Sequence, residues 1–120
     1  MNKIQALYTF WAGFGLPAYD ENSVPDDAVL PYITYETSSD EFNHKLAQTA
    51  SLWYRSTSWE AVELKQLEIA DYIGKGGVLQ SYDGAAVWIA RGNPWSQRMS
   101  DSSDDSIRRI VLNVEVEFLD

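Results

Sequence analysis

Nine Lys and Arg against eighteen Asp and Glu leave this 120-residue chain with a formal net charge of −9, which argues against binding nucleic acid by neutralising phosphates and against docking on an anionic membrane. The chain has no cysteine, which excludes disulfide staples, thiolate zinc sites and cysteine nucleophiles, and its one histidine, His44, leaves no second imidazole for a multi-histidine metal site. A hydrophobic content of 45% with 13% aromatics sets it apart from disordered acidic segments, and the length suits a single domain, residues 1–120.

The first element in chain order is a helix over Lys3 to Phe14, because Ile4, Leu7, Tyr8 and Trp11 recur at helical spacing before Gly13, Gly15 and Pro17. Residues 18–27 are polar and turn-rich around one short extended piece. Tyr32 to Thr37, β-branched and aromatic, reads as a strand, and His44 to Arg55 as a second strand paired with it after a loop over 38–43. Thr57 with Glu60 three positions on has the form of a capping box, opening a helix that runs to Ile73 and ends at Gly74. Val62, Ile69, Ala70 and Ile73 line one face of it, with Trp59 beside them; Leu64 and Leu67 lie well round from that stripe and leave less than half of the helix for water.

Val78 to Tyr82 and Ala85 to Arg91 flank Asp83-Gly84, a strong hairpin signal. Gly92 to Ser106 reads as a long loop, solvated over its Ser- and Asp-rich part. In the last strand Ile110, Leu112, Val114, Val116 and Phe118 alternate with Val111, Asn113, Glu115 and Glu117, one face buried and the other largely wet. The expected fold class is therefore α+β, a mainly antiparallel sheet with two helices packed on one face.

Catalytic patterns are missing. Gly74-Lys75-Gly76-Gly77 falls short of a phosphate loop and follows a helix, and neither Gly-x-Ser-x-Gly nor His-Glu-x-x-His occurs. The pairs Asp26-Asp27, Asp40-Glu41 and Asp104-Asp105 read as solvated charge, and His44 as a surface residue. Neither an enzyme activity nor a metal or cofactor is expected. No apolar run reaches the roughly 20 residues of a membrane span, and the N-terminal stretch has no signal-peptide pattern, so a product of the bacterial cytoplasm is expected.

The aromatics say more. Trp53, Trp59 and Trp88 fall inside elements, where core packing accounts for them. Trp95 falls in a Gly-Asn-Pro-Trp-Ser stretch near Arg91 and Arg98, residue types enriched at interface hot spots; folding back onto the sheet is the other reading, and both stand. Leu64 and Leu67 either pack on the first helix or meet another subunit. Leu64, Leu67, Arg91, Trp95 and Arg98 are thus the candidate interface residues.

The order of segments resembles the tail-terminator (tail-completion) proteins of long-tailed bacteriophages. An N-terminal helix precedes Val24-Pro25-Asp26 and Leu30-Pro31-Tyr32-Ile33-Thr34-Tyr35. Ser51-Leu52-Trp53-Tyr54-Arg55-Ser56 then leads into a helix, and Ser106-Ile107-Arg108-Arg109-Ile110-Val111-Leu112 opens the last strand. The resemblance implies a non-enzymatic virion subunit of the tail and neck, made in the host cytoplasm. Such subunits form a ring, commonly six-fold, that stops growth of the tail tube and meets the head connector. Its implied partners are itself, the tube protein and the connector, with no specific nucleic-acid binding and no membrane. Two other classes stand beside it. One is an acidic phage-encoded inhibitor that mimics nucleic acid and binds a host nuclease or DNA-binding protein; the other is a small carbohydrate-active or metal-dependent hydrolase, which would need convergent carboxylates that the sequence does not display.

Overall fold

The alternation at the end of the chain decides the centre of the structure. In the computed structural model, which describes residues 3–37, 45–100 and 104–119, Ile110, Leu112, Val114, Val116 and Phe118 are all buried while Glu115 between them is exposed. Burial of every second residue is what a two-fold strand repeat imposes when only one face meets a core.

In order, the elements are α1 (Lys3–Ala12), β1 (Ala18–Asp20), β2 (Tyr32–Tyr35), β3 (Leu46–Arg55), α2 (Glu60–Ile73), β4 (Val78–Tyr82), β5 (Ala85–Met99) and β6 (Ile107–Leu119). They form an α+β fold whose six-stranded sheet has the order β1-β2-β3-β6-β5-β4. Among the described residues, only the β1–β2 pair is parallel. A single core cluster joins Leu7, Phe10 and Trp11 of α1, Val62, Ile69 and Ile73 of α2, and the five alternating residues of β6.

The β2–β3 pairing and the β4–β5 hairpin form as the sequence implies, the latter through Asp83 (φ 27°) and Gly84 (φ 78°), both at the positive φ that a tight hairpin turn demands. His44, Asp40 and Glu41, read as surface charge, lie outside the described residues.

Four expectations need correction. In α1 the buried face is Ala6, Leu7, Phe10 and Trp11, while Ile4 and Tyr8, assigned to the apolar stripe, are 58% and 50% exposed. The rotation follows the aromatic cluster: Phe10 packs edge-on to Trp11 (4.8 Å between centroids) and to Phe14 (5.4 Å), which turns that side of the helix inward and leaves Ile4 and Tyr8 outside. In α2 the capping box does not form. Trp59 is the N-cap residue and makes no side-chain cap, while Ser58 Oγ accepts the Glu60 N–H at 3.1 Å. The guanidiniums of Arg98 (4.7 Å) and Arg108 (5.3 Å) both lie against the Trp59 ring, tertiary contacts that favour Trp59 over Thr57 at the entry to the helix.

The third correction concerns Gly92 to Ser106. The strand does not stop at Arg91 but runs to Met99 through a bulge: Arg91 faces Val114 while Ser96 faces Leu112, so the extra residues of β5 are absorbed between them. Pro94, which has no N–H for the ladder, sits in that bulge. A Cβ on Gly92 would lie 2.9 Å from the Asn113 carbonyl oxygen, so the close approach of the two backbones there requires glycine. Fourth, Leu64 and Leu67 do not reduce the wetted side of α2: they are 60% and 51% exposed and stand outside the core cluster.

Candidate interface surfaces

The candidate residues of β5 converge on α2. Near the start of the helix, Arg98 Nε and Nη2 both donate to Glu63 Oε2, at 2.9 and 2.7 Å. At its middle, the Trp95 indole N–H donates to Gln66 Oε1 at 2.8 Å, and Gln66 in turn donates to Glu63 Oε1 at 3.2 Å. At its end, Arg91 Nε donates to the Gly74 carbonyl at 3.1 Å, where the helix presents unsatisfied carbonyls and partial negative charge. Trp95 is half-buried and packs against the core, which is the folded-back reading of the two. The bulge makes this possible by bringing a side chain from mid-strand over to the helix.

The side of α2 turned away from the sheet is built differently. Glu60, Leu64, Leu67 and Asp71 follow one another at four-, three- and four-residue steps and therefore form one stripe, opposite Val62, Gln66, Ile69 and Ile73. The stripe is exposed throughout. Two acids at its margins are engaged within the chain, Glu63 by Arg98 and Glu68 by Lys65 Nζ at 2.9 Å; Lys65 also donates to the Phe14 carbonyl at 2.7 Å. Glu60 and Asp71 have no cation within 4 Å among the described residues.

The face of the sheet away from the core carries a second surface, one that sequence reasoning missed. The β2–β3, β3–β6 and β5–β6 registers place Tyr32, Trp53, Arg109 and Met99 directly opposite one another in a row across four strands. Tyr19 continues it, its ring 5.6 Å from that of Tyr32. Trp53 donates its indole N–H to Thr34 Oγ1 at 2.9 Å, and the Arg109 guanidinium lies 4.5 Å over the Trp53 ring while its Nε donates to Ser51 Oγ at 3.1 Å.

Core packing therefore does not account for Trp53, nor for Trp88, whose ring carries Lys45 Nζ at 5.1 Å; both are half-buried and stand outside the core cluster, whereas Trp59 packs against it. The missed signal was phase. Ala50 and Leu52 share the buried phase of β3, so Trp53 must point the other way.

Among the described residues, little else is built for chemistry. Between α1 and α2 lies a cleft of about 210 Å³ lined by Thr9, Phe10, Phe14, Glu68 and Tyr72, smaller than the roughly 300–1,000 Å³ of small-molecule sites. Asp104 accepts from the Ser106 hydroxyl (2.6 Å) and N–H (2.9 Å) and pairs with Arg55 at 3.4 Å. The Ser106 bonds, with a smaller part from Arg55, hold its carboxyl below the usual carboxylate value. Asp26 and Asp27 are exposed in a turn. No group of three or more metal-ligating side chains occurs among the described residues.

No protein-family model matches the chain, and no curated protein matches it. Among solved structures, a chain of the virion of a native gene transfer agent (GTA) particle shares its fold with a TM-score of 0.57 at 16% identity, over 97% of this chain and 90% of that one.

Proposed function

We propose that this chain is a structural virion protein, a tail-terminator or neck subunit that forms a ring capping a phage tail tube and joining it to the head connector. The observation that carries this reading is the fold shared, nearly end to end, with a chain of a gene transfer agent virion. The segment order described from the sequence points the same way, and the best-developed surfaces have the composition of contact surfaces, with no catalytic constellation among the described residues.

In this reading the protein is not an enzyme, and Leu64 and Leu67 form part of a subunit interface. Arg91, Trp95 and Arg98 belong to the same interface by holding α2 in place from beneath. The core cluster shared by α1 and α2 supports packing of both helices on one face of the sheet, which leaves the other face open. A closed ring requires a heterologous contact, one patch meeting a different patch on the next copy, and six-fold closure is the form we propose. The net charge of −9 suits a lumen through which DNA slides without sticking. A mimic of nucleic acid is less well supported, because Glu63 and Glu68 are ion-paired within the protomer and α2 offers no unbroken row of free carboxylates.

Negative-stain imaging with native mass measurement at rising concentration tests the ring: closed rings of one size are expected. Depletion of the protein from its particle tests the role, and tails of uncontrolled length are expected. Tails of normal length joined to heads would overturn it.

A further inference from the structure

We infer that the outer stripe of α2 in one copy of this chain, Glu60, Leu64, Leu67 and Asp71, seats on the open-face row Tyr32, Trp53, Arg109 and Met99 of the next copy. This rests on the reading of the protein as a self-assembling subunit and names the two patches that meet.

Charge is the first argument. A chain with nine basic groups against eighteen acidic ones repels its own copies unless the few cations are set against carboxylates. On the open face Arg109 is oriented by Ser51 and by the Trp53 ring and meets no carboxylate within 4 Å among the described residues. Arg55, two residues along β3 from Trp53 and so on the same face, has a 60% exposed side chain and, among the described residues, only the 3.4 Å contact to Asp104 as an ion pair. The α2 stripe offers the reverse arrangement, with Glu60 and Asp71 bracketing two exposed leucines and no cation near either acid among the described residues.

Residue chemistry is the second argument. Trp, Tyr and Arg are the side chains that carry most interface energy, and here Tyr32, Trp53 and Arg109 stand in register across three strands, with Met99 beside Arg109 on a fourth. Trp53 and Arg109 already hold one another, and the Trp53 indole N–H and the Arg109 Nε–H are each directed to a hydroxyl, so little ordering remains to be done when a partner arrives. Two leucines covering this aromatic strip, with carboxylates reaching the guanidiniums at its edge, would exclude water from both. The two patches belong to opposite sides of one chain, so the contact is heterologous and repeats from copy to copy.

The absence of cysteine supplies a clean test. Leu67→Cys and Met99→Cys are both at exposed positions and are expected to leave the fold intact, which a thermal melt checks. With a flexible bis-maleimide, a mixture of the two single variants should give one-to-one dimers, and the double variant should give a ladder of covalent multimers. Arg109→Glu should weaken association roughly 30-fold or more, as loss of a hot spot does. Adding Glu60→Lys and Asp71→Lys to it should restore most of that loss.

Self-linking of Leu67→Cys alone, with none between the variants, would overturn the proposal in favour of a symmetric helix–helix contact. A wild-type chain that stays monomeric at millimolar concentration, with no crosslink between the two cysteine variants, would also overturn it, and would assign the strip to a different virion protein. Rings that form while the two variants stay unlinked would overturn the interface and spare the ring. A ladder without closed rings would do the opposite.

Discussion

Trp95 offers the sharpest test of what β5 does for α2. Its indole N–H is the donor to Gln66 Oε1, and Gln66 is buried, only 9% exposed. Trp95→Phe keeps most of the ring but leaves that oxygen without its partner, a loss that costs about 1–3 kcal/mol when the orphaned group cannot reach water. Because Trp95 is half-buried, solvent can reach part of the gap, and the lower half of the range, about 1–2 kcal/mol, is expected. For a domain of this size that corresponds to a Tm lower by about 4–8 °C.

Urea unfolding of wild type, Trp95→Phe, Gln66→Met and the double variant closes a cycle. The double variant should cost clearly less than the two singles together, since it leaves neither the Trp95 N–H nor Gln66 Oε1 unpaired. The loss of the Gln66 donor to Glu63 Oε1 is common to Gln66→Met and the double variant and cancels in the cycle. Self-association, measured by sedimentation well below the melting range, should be unchanged. A Trp95→Phe chain of wild-type stability would show that the hydrogen bond is not formed in solution. Lost assembly with unchanged stability would place Trp95 directly against a neighbouring subunit and refute its role as an internal rivet.

Gly92→Ala should destabilise by about 1–3 kcal/mol, because its Cβ would press on the Asn113 backbone, while Gly76→Ala, with nothing within 4 Å, should stay within about 0.5 kcal/mol; paired urea titrations measure both. Burial, helped by Asp20 and Tyr8, raises the pKa of Tyr35, and burial with Glu68 raises that of Tyr54. The folded chain therefore holds these protons more tightly than the unfolded chain. The stability they contribute is full below pH 10.0 and is lost as pH rises through the raised values. Tyr35→Phe and Tyr54→Phe should flatten the alkaline fall in unfolding free energy, followed by urea titration across that range. Asp104 behaves oppositely: its lowered pKa gives a contribution present above 3.8 and lost as pH falls through the lowered value. Ser106→Ala should move its titration, followed by carboxyl NMR, up towards 3.8.

What was legible from sequence follows from how local each cause is. The β6 alternation, the Asp83-Gly84 hairpin and the span of α2 depend on periods and turn geometries that a few neighbouring residues dictate, and they stand in the structure as read. The misreadings share a different origin. The rotation of α1 depends on Phe14 and Tyr72, the latter distant in sequence, and the entry of α2 depends on Arg98 and Arg108 reaching Trp59 from two strands. Local capping preference is weak enough, about 1 kcal/mol, for such tertiary contacts to override it.

The bulge in β5 explains the remaining gap and connects it to the candidate surfaces. Gly-Asn-Pro-Trp is turn chemistry by every local rule, so the stretch reads as the start of a loop. A strand can nevertheless pass through such residues when its neighbour supplies a long ladder, and β6 does so over thirteen residues. Once β5 continues to Met99, two things change together. Trp95 and Arg98 turn inward to grip α2, and Met99 takes its place beside Arg109 on the open face. Had the chain left the sheet at Arg91, α2 would lose its two inner anchors and the open-face row would end at β6. The segment that most resembles a surface loop is thus the one that holds the outer stripe of α2 in place and completes the strip on the opposite side, so altering the bulge should disturb both patches at once.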